Sequence, residues 1–434
     1  MEGLIGFSVF IVALLVFLAT GAPVAVATGL LGVLGVYLFL PPAAIAQLGN
    51  IAFAQSTNFV LVVVPLFVMM GEALAVTTIG RDLFTAAQIW LRRLPGALAV
   101  GTIAACTGFA AVCGSSPVTA ATIGGMAVPQ MIAKGYSPRL AFGAAASGGT
   151  LGILIPPSIP LILYGVITET SIGALFIAGI VPGLLMSLML SATVMLLVWR
   201  NPALAPRAAA AVAERERWTS LRSVLPVMIL AFAVLGSIYA GIATPTEAGA
   251  VGALGALIIA AVMGALKRTV MARILSNTAR TTAMFVLLIV GGLFSAFVLA
   301  RLGIPQSTAR MLVSLDLPPW VIMILINLLL IVLGMFMDPM SLLVIMVPVF
   351  FPAVTALGYD PVWFGIIMTI NIEIAAISPP VGFNLFVLKT VVPSGEMRDI
   401  IRGSLIFIVP LALGIGIMIA WPEIVLWLPR LMMS

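Results

Sequence analysis

Histidine is absent from the 434 residues and cysteine occurs only twice. The first absence removes imidazole ligands and imidazole bases from any mechanism. Cys106 and Cys113 stand seven positions apart, about 10.5 Å along a helix. That is too far for a bridge, and both read as packing residues. Charge is scarce too: 8% of residues are charged against 62% hydrophobic, and mean hydropathy is +1.27. No soluble core needs that composition, so lipid is the solvent and an all-α polytopic membrane protein is expected. The first apolar run, Leu4 to Ala19, follows Glu2 without a Lys or Arg and leads to no small-residue cleavage site. A removable signal peptide is therefore not expected.

What is present is a unit written twice, at an offset of 222 to 223 residues. "GAPVAVATGLLG" from Gly21 lies over "ATPTEAGAVGAL" from Ala243, and "GYSPRLAFG" from Gly135 over "GYDPVWFG" from Gly358. Pro129 falls on Pro352, and the pair Pro156-Pro157 on Pro379-Pro380 in "AAISPPVGFN". The matches sit on glycine and proline, which set backbone shape. The first repeat is placed at 1–199, a cytoplasmic connecting loop with "ERER" at 200–220, and the second repeat at 221–434.

Each repeat reads as scaffold crossings, then an apolar pair around a polar tip, then an interrupted crossing and a last one. The pairs are 95–135 around "GSSP" and 318–357 around "MDP"; the interrupted crossings are 139–168 and 361–389. The polar stretches 43–58 and 265–280 read as interfacial helices. If each apolar pair is a re-entrant hairpin, each unit crosses five times. The loops then place all but Arg301, Arg310 and Arg430 of the 20 basic residues on one side. That is the positive-inside rule, with both termini outside the cytoplasm; the basic balance is topology, not a nucleic-acid surface. Counting each pair as two full crossings leaves the loop sides unchanged, and the polar tips at mid-depth favour the hairpin. An odd number of crossings turns the second unit upside down. Inverted repeats with broken helices at the midplane are a plan of secondary transporters.

Proline at 156, 157, 379 and 380 stops a helix at that depth, and irregular backbone is tolerated there only within protein or around a cavity. The freed helix N-termini suit anions and the freed carbonyls suit a hard cation such as Na⁺. Four acids fall in or at the ends of membrane segments, where ionisable groups usually serve a pathway. Asp338, before Pro339 at the second tip, reads either as an ion ligand or as the cap of the following helix. Glu373 reads equally as ion-related or structural. Glu247 in "TPTE" fits a capping box, and Glu72 lies near a crossing's end. Gly148, Gly149 and Gly152 in "ASGGTLG" allow either close backbone approach or tight helix packing.

These motifs closely resemble the large membrane subunit of TRAP (tripartite ATP-independent periplasmic) transporters. The resemblance rests on "GAPVAVATG", "CGSSPVTAATIGGMAVPQM", "KGYSPRLAFGAAASGGTLGILIPPSIPLILYG", "ATPTEAGAVGA", "MDPMSLLVIMVPVF" and "NIEIAAISPPVGFNLFVLK", in that order. It implies an elevator mechanism, in which hairpins and broken helices move as one block, with Na⁺ symport of an organic acid. It also implies residence in the bacterial inner membrane and two partners: a small membrane subunit on a separate chain and a periplasmic binding protein. By motif, Ser115, Ser116 and Pro117 would face Gly149, Thr150 and Pro156 around one Na⁺. Asp338 and Pro339 would face Glu373, Ser378 and Pro379 around another. Ser158 and Asn384, with Pro157 and Pro380 beside them, would hold a substrate carboxylate. The expected substrate class is a C4-dicarboxylate, a sialic acid or a similar acid.

Other classes fare worse on the residues. Without histidine a serine hydrolase lacks its base, Asp338 is the sole aspartate at membrane depth, and no Walker lysine motif exists. A passive channel does not require proline-broken inverted repeats. A self-sufficient carrier of the same architecture remains the alternative to a partner-dependent importer.

Overall fold

The computed structural model describes residues 2–206 and 214–433, and within them every regular element is helical. The first repeat runs α1 (Glu2–Ala19), α2 (Val24–Phe39), α3 (Ala46–Ser56), α4 (Val63–Ala75) and α5 (Ile79–Leu91). It continues through a hairpin of α6 (Ala97–Cys113), α7 (Ser116–Thr119), a π turn (Ala120–Gly124) and α8 (Gly125–Ala133). Then come α9 (Pro138–Thr150) and α10 (Ile159–Thr168), the two halves of a broken helix, and α11 (Ile172–Arg200). The second repeat runs α12 (Glu214–Tyr239), α13 (Pro245–Val262), α14 (Arg268–Arg301) and α15 (Ile304–Val313). Its hairpin is α16 (Pro319–Gly334) with α17 (Pro339–Ala356), and its broken helix is α18 (Pro361–Ala376) with α19 (Phe383–Val391). It closes with α20 (Met397–Ala420) and α21 (Glu423–Met433).

The local chemistry explains these bounds. Asp360 caps α18 by accepting the N–H groups of Val362 (2.7 Å) and Trp363 (3.4 Å), with Pro361 as first helical residue. Thr244 and Glu247 form the expected capping box, so Glu247 is structural. After the two return helices, Gly135 (φ 82°) and Gly358 (φ 87°) take the left-handed conformation that ends a helix.

Packing between the repeats is reciprocal. α2 lies on α14 as α13 lies on α4; α1 meets α15 as α12 meets α5; α9 meets α20 as α18 meets α11. Such paired exchanges are what an inverted repeat about a pseudo-two-fold axis produces. The broken helices lie at the centre: every residue of α9 from Leu140 and of α18 from Trp363 is buried. The outer helices instead turn apolar side chains outward, such as Ile229 and Phe232 on α12 and Leu254 and Ile258 on α13. Among the described residues six helices are long and apolar enough to span a membrane, and a bent pair makes a seventh.

Two expectations need correction. Residues 265–280 are not a separate interfacial helix but, from Arg268, the first part of the 34-residue α14. In the first repeat the equivalent segment does separate: the bend between α3 and α4 is 56°. There the Asn58 side-chain oxygen accepts the Val60 N–H at 3.0 Å and diverts the backbone from the helical ladder. The connecting loop is also shorter than read, since "ERER" at 214–217 already belongs to α12; residues 207–213 of that loop lie outside the described residues. Glu72, near the end of α4, accepts Nδ2 of Asn277 on α14 at its Oε2 (2.8 Å).

Candidate functional site

The site grows from two hairpin tips, each stitched to a helix break. α6 ends at Gly114, whose φ of 67° suits glycine. A Cβ there would stand 2.6 Å from the Pro157 carbonyl oxygen, so the tip presses directly on the break. The Ile159 N–H donates to Gly114 O (3.4 Å), and in the second repeat Val381 N–H donates to Met335 O (3.1 Å). One backbone hydrogen bond thus ties tip to break in both halves. The peptide bonds Pro156-Pro157 and Pro379-Pro380 are both cis.

At the first junction, oxygens converge on a glycine. Thr119 Oγ1 donates to Ser115 O at 2.8 Å. A Cβ on Gly152 would meet these same two atoms at 2.6 and 2.7 Å. Gly152 therefore packs closely against a hydroxyl and a carbonyl, oxygens of the kind that ligate a hard cation. Of the residues expected here, Ser115 contributes that carbonyl and Pro117 opens α7. Gly149 packs on Ala120, 2.6 Å from where its Cβ would be, and Thr150 Oγ1 donates to Ser147 O (2.7 Å). Pro156 turns toward α11, 3.4 Å from the Cβ position of Gly179, so it is Pro157 that meets the tip. Cys106 and Cys113 are buried free thiols, as packing residues would be.

At the second junction Asp338 Oδ1 accepts the N–H groups of Met340 (3.1 Å) and Ser341 (3.2 Å), while the Ser341 hydroxyl donates to Oδ2. Asp338 is thus the cap of α17, with Pro339 following as its first residue. Ser378 Oγ donates to Ile374 O (2.6 Å), and the Cβ position of Gly382 lies 2.8 Å from Ser378 O. Pro379 is half-buried and Pro380 exposed. Glu373 is 0% exposed, and neither carboxylate oxygen has a hydrogen-bond partner. It is the only charged side chain among the described residues that is buried in this way. Ala375 touches Gly334 of the hairpin arm, and a residue two positions earlier points about 200° away around the helix. Glu373 consequently leaves α18 on the side opposite α16.

The two halves meet through Asn384. This residue of α19 donates Nδ2 to Ser116 Oγ of the first tip at 2.7 Å and to Ala146 O at 3.4 Å. Its Oδ1 is buried without a partner. Ser158 is also buried, but its hydroxyl is engaged: it accepts the Leu161 N–H (3.3 Å) as cap of α10 and donates to Ile153 O. Sequence reasoning missed Asn371, whose Nδ2 donates to Asn327 Oδ1 (2.5 Å) and Ile367 O (2.9 Å), pinning α18 to α16. Asn371 inside "TINIEI" and its partner Asn327 inside "ILINLLL" were the available signal, because an amide in an apolar run must find a partner.

The chain is similar to known proteins over most of its length. The family model described as "Tripartite ATP-independent periplasmic transporter, DctM component" covers residues 11–424. The chain belongs to this family. It is 37% identical to the C4-dicarboxylate TRAP transporter large permease protein DctM of Pseudomonas aeruginosa, with 93% of each chain covered. It is 33% identical to the sialic acid TRAP transporter large permease protein SiaM of Vibrio cholerae, covering 87% of this chain and 88% of the relative. The crystal structure of the Alcanivorax borkumensis YdaH transporter shares the fold, with TM-score 0.62 and 18% identity over 97% of this chain and 99% of that one. Family membership makes the chain a multi-pass membrane permease, not an enzyme.

Proposed function

We propose that the chain carries a carboxylate-bearing organic acid, a C4-dicarboxylate, a sialic acid or a similar acid, into the cell together with Na⁺. It does so in the inner membrane, termini in the periplasm, with a small membrane subunit and a periplasmic binding protein that delivers the acid. The two hairpins and two broken helices move as one block against the remaining crossings. The observation that carries this reading is the matched backbone bond from break to tip, Ile159 to Gly114 and Val381 to Met335, which makes each hairpin and its broken helix one body. The Thr119 hydroxyl and Ser115 carbonyl beside Gly152 supply oxygen donors for one Na⁺. The unpartnered carboxyl of Glu373 supplies two buried oxygens that a cation would engage. The free Oδ1 of Asn384 and the neighbouring helix starts supply polar groups for the acid.

The test is uptake by proteoliposomes holding the permease and small subunit. Accumulation is expected only with an inward Na⁺ gradient and the binding protein outside. Uptake by this chain alone would favour the self-sufficient carrier, and uptake indifferent to Na⁺ would remove the coupling ion. Asp338→Asn keeps a capping side chain but loses the charge. It is expected to raise the Na⁺ concentration for half-maximal uptake about tenfold, equivalent to about 1.4 kcal/mol, with the complex intact. Unchanged Na⁺ dependence would leave Asp338 as a cap and nothing more.

A further inference from the structure

A cavity of about 490 Å³ opens between three connections: the turn from α10 to α11, the turn that follows Asn58, and the start of α13. Of the polar side chains around it, those other than Glu169 and Thr246 are engaged. Asn58 caps Val60, Ser171 Oγ accepts the Ala174 N–H (3.3 Å), Thr170 pairs with Thr168 (2.8 Å), and Thr244 pairs with Glu247 (2.8 Å). Glu169 makes neither a hydrogen bond nor an ion pair among the described residues. It also holds φ at 56°, a left-handed conformation that side chains other than glycine and asparagine seldom take. Glu169 is exposed at the cavity mouth, where it caps α10 in that conformation, so its carboxylate is free to meet a ligand.

We infer that this cavity receives a loop tip bearing Lys or Arg from the soluble protein that delivers the substrate, and that its occupancy is coupled to the position of the moving block. The inference rests on the transport reading above. The lining holds a carboxylate and no Lys or Arg, so a free organic acid would meet repulsion without a counter-charge. Apolar walls of Phe59, Val166, Ile172 and Pro245 suit the methylene stem of a basic side chain. The volume exceeds one side chain and lies within the range of pre-formed ligand sites. The charge pattern of the loops puts this end outside the cytoplasm, where a soluble delivery protein arrives. One wall, the α10 to α11 turn, belongs to the block and the other two to the remaining crossings. Any shift of the block reshapes the cavity, and by linkage a docked loop biases the block by the same factor.

The test uses the permease and small-subunit complex in nanodiscs, with its own binding protein as the probe. Glu169→Gly removes the carboxylate and suits the backbone, so folding is preserved; Glu169→Lys reverses the charge. Expected are an affinity loss of about fivefold for the first, with a flatter salt dependence, and more than about twentyfold for the second. Unaltered affinity in both variants overturns the inference. A loss seen only in nanodiscs containing phosphatidylethanolamine assigns the cavity to a lipid amine and also overturns it. If wild-type complex binds no such protein and transports unaided, it is the transport reading that has failed.

Discussion

The two helix breaks share a backbone plan and differ in their surroundings. Residues 151–160 of the first are buried without exception, whereas in the second Pro380 is exposed and Val381 and Phe383 are 39% and 40% exposed. The tips follow suit: Gly114 is wedged against Pro157, while Phe336 at the equivalent position is 46% exposed. One junction is sealed by protein and the other lies at an edge. Irregular backbone at membrane depth must be covered or face water, and this chain covers the first junction more fully than the second.

The largest effect that would break this comparison is a change at the tips. Gly114→Val forces a branched side chain into a left-handed position and against the Pro157 oxygen. Its expected cost is about 3 kcal/mol from backbone strain and overlap together, with uptake lost. Phe336→Ala, at an exposed position, is expected to stay within about 1 kcal/mol. Thermal unfolding of the detergent-solubilised complex and Na⁺-driven uptake measure both, and equal penalties would mean that the two junctions are sealed alike.

A second difference lies in how each broken helix is held to its hairpin arm. Asn371 reaches Asn327 in the second repeat; the offset puts Gly149 and Ala105 in their places in the first. An amide bond does at the open junction what close packing does at the sealed one. Asn371→Leu strands the Asn327 oxygen and is expected to cost about 1–3 kcal/mol, while Asn327→Leu combined with Asn371→Leu recovers most of it, because two apolar partners leave nothing unpaired. A double variant as unstable as the single one would show that the pair does not act as a unit.

How much of this was legible in the sequence follows from what kind of residue carried each feature. The breaks, tips and helix starts rest on proline, glycine and capping side chains, whose effects act within a few residues, and they fall where the motifs put them. The continuity of α14 was not legible. Its first part carries the same mixture of basic and small polar residues as an interfacial helix, and where those side chains go is not written in the residues themselves. Asn58 turns back to its own backbone, and Asn277 reaches across to Glu72. The opposed faces of Glu373 and Ala375 follow from helix geometry, but which arm Ala375 touches does not. Long-range pairings such as Asn384 with Ser116 need the fold, because 268 residues separate them.

The smallest expected effect concerns the contact of α9 with α20, whose mirror image is α18 with α11. In the first, Gly143 and Gly403 bring backbones together: a Cβ on Gly143 would lie 2.4 Å from Gly403 O. In the second, the equivalent Gly365 faces the side chains of Leu175 and Tyr164. An ion pair, Arg139 Nε to Asp399 Oδ1 at 3.1 Å, adds to the tighter contact, but its side chains are 51% and 24% exposed. Pairs so placed are worth about 0.2–1 kcal/mol. A double-mutant cycle of Arg139→Ala and Asp399→Ala is expected to give a coupling in that range, reduced at high salt. Gly403→Ala, which forces the backbones apart, is expected to cost more than both alanines together. A coupling above about 2 kcal/mol would reverse that order, and would make charge, not glycine, the reason the two mirrored contacts differ.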